Sequence, residues 1–312
     1  MNFSAEERFL VGRNMVDRPE QLDGWYPVLV KGDDLYWRKL GSRKLLEPFF
    51  FDSLKGIELN CCKTSFSALD EFEEALAPAA FVFHMSRCGS TLLCQLFSRL
   101  DSFSVLSEPP AVDFFLREHH ARPGAETTLR KLIAALGQKR FAAEQRFLLK
   151  LDSWHIEHLP LFRKAYPEVP FIFIYRQPGE VMASHRRQRG RQMVPGLVDM
   201  PGFDPGELAP GDLDGYAERV LRHFLNEALK HRGELVLMNY SQLPGVVWNQ
   251  LLDILGIDAA SDVVEAMQSR AGSHSKNGEK FSVDPEAPAC ITCNPYYEQL
   301  EGLRLEQSLF TA

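Results

Sequence analysis

From residue 80 onward, short and almost wholly apolar runs alternate with longer stretches whose apolar residues recur every three or four positions. The short runs Ala80–His84, Ser104–Leu106, Phe147–Leu151, Phe171–Tyr175 and Glu234–Met238 predict strands. Near-continuous apolarity is what a parallel strand covered on both faces requires. The periodic stretches predict helices over Thr91–Leu100, Val112–His120, Leu129–Leu136, Ile156–Ala165, Gly179–Arg189, Gly215–His231, Gly245–Leu255 and Ala260–Arg270. Strand–helix alternation of this kind predicts an α/β domain of three layers, with a central parallel sheet and right-handed crossovers. Ligands of such sheets bind beyond the carboxyl ends of the strands.

The texture differs before residue 80. Trp25–Trp37 predicts two short strands around a Gly-Asp-Asp turn, and Ser67–Leu76 a short acidic helix. Ala77-Pro78-Ala79 then punctuates the chain. The expected organisation is an α+β appendage over 1–79 and a main domain over 80–312. Residues 191–213 carry four prolines and four glycines and cannot hold a helix. A loop of that length is a candidate lid.

Bulk properties narrow the partners. The 312 residues are 45% hydrophobic and 25% charged, ordinary values for a globular protein. A net charge of −7 and a pI near 5.8 argue against a broad surface for nucleic acid or anionic lipid. No run reaches the ~18 apolar residues of a membrane helix, and the first residues do not read as a secretory signal, so the expected location is cytoplasmic. Of six cysteines, Cys290 and Cys293 form one CxxC without a second pair, too little for a closed four-ligand zinc site. Reduced, unligated thiols and no metal are expected.

The chemistry gathers after the first of the apolar strands. Phe81–His84 leads into Met85-Ser86-Arg87-Cys88-Gly89, and a helix opens on Ser90-Thr91. Such a turn aims backbone N–H groups, hydroxyls and the positive end of a helix dipole at one point, which suits a phosphate. The nucleoside-triphosphate loop GxxxxGKS/T places a lysine just after its second glycine. Here Ser90 follows Gly89, and the cation is Arg87, before the glycine. A second anion-binding segment follows Phe171–Tyr175: Arg176 at the strand end, Pro178 in the first helical turn, and Ser184 about two turns on. The basic run from His185 to Arg191 reads as a solvated helix end that complements the dipole.

Together, SRCGSTLL and YRQPGEVMAS resemble the two donor-binding motifs of the sulfotransferase superfamily, which uses 3′-phosphoadenosine 5′-phosphosulfate (PAPS). The resemblance covers roughly residues 80–280. It implies a P-loop-like fold and a 5′-phosphosulfate cradle of Ser86, Arg87, Cys88, Gly89, Ser90 and Thr91. It also implies a 3′-phosphate site of Arg176 and Ser184. His84-Met85 replaces a proline-containing lead-in, and Cys88 the usual Ser or Ala. Tyr240, ending LVLMNY, resembles the family's nucleotide-holding tyrosine, with Gln242 displaced from the motif's acidic position. Arg270, Ser275 and Lys276 resemble the family's C-terminal donor-closing loop. Glu108, after the Ser104–Leu106 strand, is the expected base for the acceptor proton, and His155 is the second choice. The implied reaction is sulfuryl transfer to a hydroxyl or amine of a small-molecule or metabolite acceptor, without metal. The alternatives are an ATP-dependent small-molecule kinase, with Asp152 as its Mg²⁺ ligand, and a non-catalytic nucleotide-binding module.

Overall fold

The computed structural model describes residues 3–58, 60–72, 75–258, 260–271 and 290–310. In chain order the strands are β1 (Asn14–Met15), β2 (Trp25–Lys31), β3 (Asp34–Lys39), β4 (Asn60–Ser65), β5 (Pro78–His84), β6 (Phe103–Ser107), β7 (Arg146–Lys150), β8 (Phe171–Tyr175) and β9 (Leu235–Asn239). The α-helices are α1 (Ala5–Val11), α2 (Phe50–Ser53), α3 (Ser90–Phe97), α4 (Pro110–His119), α5 (Ala125–Leu136), α6 (Leu159–Ala165), α7 (Pro178–Arg187), α8 (Leu213–Lys230), α9 (Leu252–Ile254), α10 (Ser261–Ala271) and α11 (Asn294–Phe310). The fold is α/β. Strands β6-β7-β5-β8-β9 form a five-stranded parallel sheet, and β1-β4-β3-β2 a smaller one. No helix among the described residues is long and apolar enough to cross a membrane.

The chain divides into two compact units. The first comprises Met1–Ala80, Cys94–Lys150 and Pro160–Val169. Within it the antiparallel β2–β3–β4 ladder carries the N-terminal hairpin. Gln138 fastens that hairpin to the end of α5: its amide donates to Trp25 O at 2.6 Å and accepts from Gly24 N at 2.9 Å. His119, at the end of α4, lies 2.8 Å from Gly32 O in the hairpin turn. In the same unit β6 and β7 run in register from Phe103↔Arg146 to Ser107↔Lys150.

The second unit comprises Phe81–Leu93, Leu151–Leu159 and Pro170–Ala312. Here β8 lies between β5 and β9, in register as Phe81↔Phe171 and Phe171↔Leu235. All five side chains of β8 are buried, which is why its sequence shows no polar alternation. Each contributes about 1.5–3 kcal/mol by leaving water.

Three predicted elements differ in detail. Ser67–Leu76 is a 3₁₀ turn over Phe66–Glu71, whose N-cap Ser65 makes no capping bond. The helix expected over Ile156–Ala165 begins as a 3₁₀ turn over Ser153–His158, and Pro160 then fits the first turn of α6. Gly245–Leu255 opens with a π-helical stretch over Val247–Leu251 before α9. Helix α11 has no counterpart in the hydrophobic pattern, because the apolar stripe it buries is thin: of its described side chains only Leu300 is fully buried.

Candidate anion site

The second unit holds the loop that follows β5. Ser86, Arg87 and Gly89 all take left-handed backbone conformations, with φ of 75°, 51° and 85°. Consecutive residues of this kind curl the chain into a concavity that presents N–H groups to an anion. For Ser86 and Arg87 the conformation costs on the order of 1–3 kcal/mol each, so the surroundings must hold it. His84 does part of this. Its Nδ1 accepts the Ser86 N–H at 3.0 Å, which puts the ring proton on Nε2, 3.0 Å from Leu151 O. Gln192 adds a second brace by donating to Ser86 Oγ at 2.8 Å. Neither His84 nor Gln192 carried any expectation from the sequence. His84 thus serves the loop as a structural brace.

The loop is also stitched to the end of β8. Met85 N donates to Ile174 O at 3.2 Å, and Cys88 Sγ to the same carbonyl at 3.0 Å. Arg176 N donates to Met85 Sδ at 3.3 Å. The two segments singled out separately in the sequence therefore meet. Cys88 is fully buried. Its side chain acts as a rivet between loop and strand.

Tyr240 joins them. It follows Asn239, whose side chain accepts from Ser241 N while Gln242 Oε1 accepts from Asn239 N, a reciprocal capping box. Gln242 thus has a local role in fixing the turn. The Arg176 guanidinium lies 4.2 Å from the centroid of the Tyr240 ring. A Cβ built on Gly89 would fall 2.7 Å from Tyr240 Cδ2 and 2.8 Å from Leu243 Cδ1. Gly89 is therefore required twice, by its φ and by the approach of Tyr240.

The charges of the site are partly buried. Arg87 donates to Gln188 O at 2.6 Å. Burial, and then the like charge of Arg187, lower its pKa from the ordinary arginine value. An anion beside it would oppose both by favouring the charged form. Arg176 donates from Nε to Glu180 Oε2 at 2.5 Å. Ser90 and Thr91 are buried at the start of α3. The first N–H groups of α3 have no intrahelical acceptor, as at any helix start. Ser184 sits half-buried on α7.

The loop expected as a lid is pinned down. Gln192, Met193, Val198 and Met200 are buried, and Phe203 packs edge-on against Tyr216 of α8. Arg219 of α8 donates to Glu207 O at 2.7 Å. The basic run before it is tied as well: Arg186 and Arg189 reach Asp214 at 2.8 and 2.5 Å and hold its carboxyl below the usual range.

Two residues expected as bases differ in setting. Glu108, in the first unit, follows β6 with φ 55°. Its N–H donates to Lys150 O at 2.8 Å, and its carboxylate ion-pairs with the Lys150 ammonium. Lys150 is 1% exposed and lies 5.0 Å from the Phe49 ring, whereas Glu108 keeps 22% of its side chain exposed. His155, in the second unit, is 1% exposed. Its Nδ1 accepts from Asp152 N at 3.3 Å in a capping box. Ser275 and Lys276 lie outside the described residues. Arg270 is at the end of α10.

No protein-family profile matches the chain, and no curated protein matches it. Among solved structures it is similar to a sulfotransferase from Mycobacterium avium, at 14% identity over 75% of this chain and 76% of that one, with a TM-score of 0.48. It is also similar to a sulfotransferase from Mycobacterium tuberculosis, at 15% identity over 72% and 77%, with a TM-score of 0.44. A third, from Alicyclobacillus acidocaldarius, shares 14% identity over 73% of this chain and 95% of that one, with a TM-score of 0.39.

Proposed function

We propose that the chain transfers a sulfuryl group from PAPS to a hydroxyl or amine of a small-molecule acceptor. One observation carries the reading: Tyr240 touches both Gly89 and Arg176, so three segments far apart in sequence, each resembling a donor-binding part, meet in one unit. Arg87, the Ser90 and Thr91 hydroxyls and the backbone N–H groups of Cys88 to Thr91 hold the 5′-phosphosulfate. Each charge-assisted bond there contributes about 1.5–3 kcal/mol. Arg176 and Ser184 hold the 3′-phosphate, which competes with Glu180 for the guanidinium. Tyr240 flanks the nucleotide.

In the reaction the acceptor oxygen or nitrogen forms a bond to sulfur as the bond from sulfur to the bridging phosphate oxygen breaks. The electron pair stays on that oxygen, giving adenosine 3′,5′-bisphosphate. Arg87 and the N–H groups stabilise the charge that develops there. Glu108 takes the acceptor proton. The Lys150 ammonium, ion-paired with the Glu108 carboxylate, fixes its direction. Glu108 suits this role better than His155, because His155 is buried and its Nδ1 is engaged by Asp152 N. A kinase reading fits less well, since Ser90 stands where a triphosphate loop needs lysine.

The direct test incubates the chain with radiolabelled PAPS and a panel of phenols, alcohols and amines. Transfer of label to an acceptor, lost in Glu108→Gln, supports the reading. Transfer of phosphate from ATP with no transfer from PAPS refutes it.

A further inference from the structure

We infer that Glu218, Cys290 and Cys293 form a binding site for a borderline-soft d¹⁰ divalent cation, Zn²⁺ in chemical character, with solvent as fourth ligand. The sequence shows only an isolated CxxC. The structure adds a third ligand from helix α8, seventy-two residues away. One ligand atom from each residue lies within 4.8 Å of the others. Cys290 Sγ is 3.4 Å from Glu218 Oε1. Bonds of about 2.3 Å to sulfur and about 2.0 Å to oxygen at a tetrahedral angle need an S···O edge of about 3.5 Å. The pair is therefore already at coordination spacing.

The surroundings fit a cation. Cys290 and Cys293 are buried at 6% and 0% exposure. Among the described residues Glu218 has no cationic partner; its Oε1 is met by Cys290 Sγ, Thr292 N and the Thr292 hydroxyl. Two thiols and a carboxylate thus converge where no described residue supplies a compensating positive charge. Asn294, next in the chain, has a buried side-chain oxygen with no hydrogen-bond partner among the described residues. The turn that carries the cysteines opens to solvent, with Ile291 80% exposed, so an ion can enter. Two thiolates with one carboxylate and an open position suit a tetrahedral, thiophilic ion; an all-oxygen cation such as Mg²⁺ would not choose them.

The ion would act as a clasp. It joins the start of α11 to α8, and α11 in turn supports the strand ends beside the anion site. Tyr175 donates to Glu301 at 2.5 Å, and Asn239 donates to Tyr297 and Glu301 at 3.0 and 2.9 Å. Those two residues immediately precede Arg176 and Tyr240.

The test uses the full chain, kept reduced and stripped of metal, titrated with Co²⁺ as a spectroscopic probe and then with Zn²⁺. The expected result is one Co²⁺ per chain with thiolate-to-cobalt charge transfer and the visible bands of a tetrahedral ion, both displaced by Zn²⁺. Cys290→Ser and Cys293→Ser lose these bands. Glu218→Gln, nearly isosteric, keeps the fold by circular dichroism but weakens binding by at least about tenfold, since even residues that only support a ligand cost that much. The melting temperature rises with Zn²⁺ in the wild type and not in Cys293→Ser. A reduced wild-type chain without the thiolate band, a band that survives in Cys293→Ser, or a Glu218→Gln chain that binds as tightly as wild type would overturn the assignment.

Discussion

The loop after β5 and the turn after β6 contain the described non-glycine residues with left-handed backbone: Ser86 and Arg87 in one, Glu108 in the other. Both follow the carboxyl end of a parallel strand, yet they are held by different means. Side chains clamp the first: His84 and Gln192 on Ser86, and Cys88 on Ile174 O. The second is tied to Lys150 by a backbone bond to its carbonyl and an ion pair to its side chain. Under the proposed function this difference becomes one of chemistry: the first loop would receive negative charge on its N–H groups and Arg87, and the second would offer a carboxylate, paired with a buried ammonium, to a proton.

Breaking the second region gives the largest effect. Glu108→Gln should lower turnover by about 10²–10⁴. It also removes the ion pair of the buried Lys150 ammonium, so stability falls by about 1–3 kcal/mol; the partial exposure of Glu108 discounts the full cost of a buried pair. The double variant Glu108→Gln/Lys150→Met should recover most of that stability in denaturant melts and none of the activity. If both recovered, the carboxylate would be structural only.

Gly89→Ala breaks the first region. Its added Cβ meets Tyr240 and Leu243 at 2.7 and 2.8 Å, in a backbone conformation that L side chains rarely adopt. A stability loss of about 2–4 kcal/mol is expected in denaturant melts. Loss of adenosine 3′,5′-bisphosphate binding should accompany it by calorimetry. His84→Ala is gentler. It removes one brace, worth about 1 kcal/mol, so binding of the bisphosphate should weaken about fivefold while turnover at saturation changes little.

The smallest effect concerns pH. Burial would raise the Glu301 carboxyl, but bonds from Arg304, Tyr175 and Asn239 outweigh it and hold it below its ordinary 4.5. A carboxyl with a depressed native pKa adds stability above its unfolded value, and loses it as pH falls through the native value. Thermal melts below about pH 4.5 should therefore fall more steeply for the wild type than for Glu301→Gln.

The parallel strands were legible because burial on both faces writes apolar runs into the sequence, and β8 was placed to the residue. The loop after β5 was legible as a candidate anion site because Gly89, Arg87 and two hydroxyls crowd a strand end. What the sequence hid is contact between distant segments. Nothing near Ser86 announces Gln192 as its partner, and nothing near Glu108 announces Lys150, a neighbour only through the β6–β7 register. His155 shows the converse, a local role that its residue type does not announce. Its residue type suited a base, but its place three residues after Asp152 makes it half of a capping box. Glu218 is on α8 in a polar stretch, so in the sequence the CxxC stands alone.

The proposed function requires the loop after β5 and Arg176 to form one site for a nucleotide with phosphates at both 3′ and 5′ positions. Calorimetric titration of wild type and Arg176→Ala with adenosine 3′,5′-bisphosphate, adenosine 5′-monophosphate and Mg·ADP tests it most directly. The account predicts that wild type prefers the bisphosphate over the monophosphate by about 10- to 150-fold, the value of one charge-assisted contact of about 1.5–3 kcal/mol, and that Arg176→Ala loses the preference while still binding the monophosphate. Wild type that binds Mg·ADP but ignores the bisphosphate, or a preference that survives in Arg176→Ala, would contradict it.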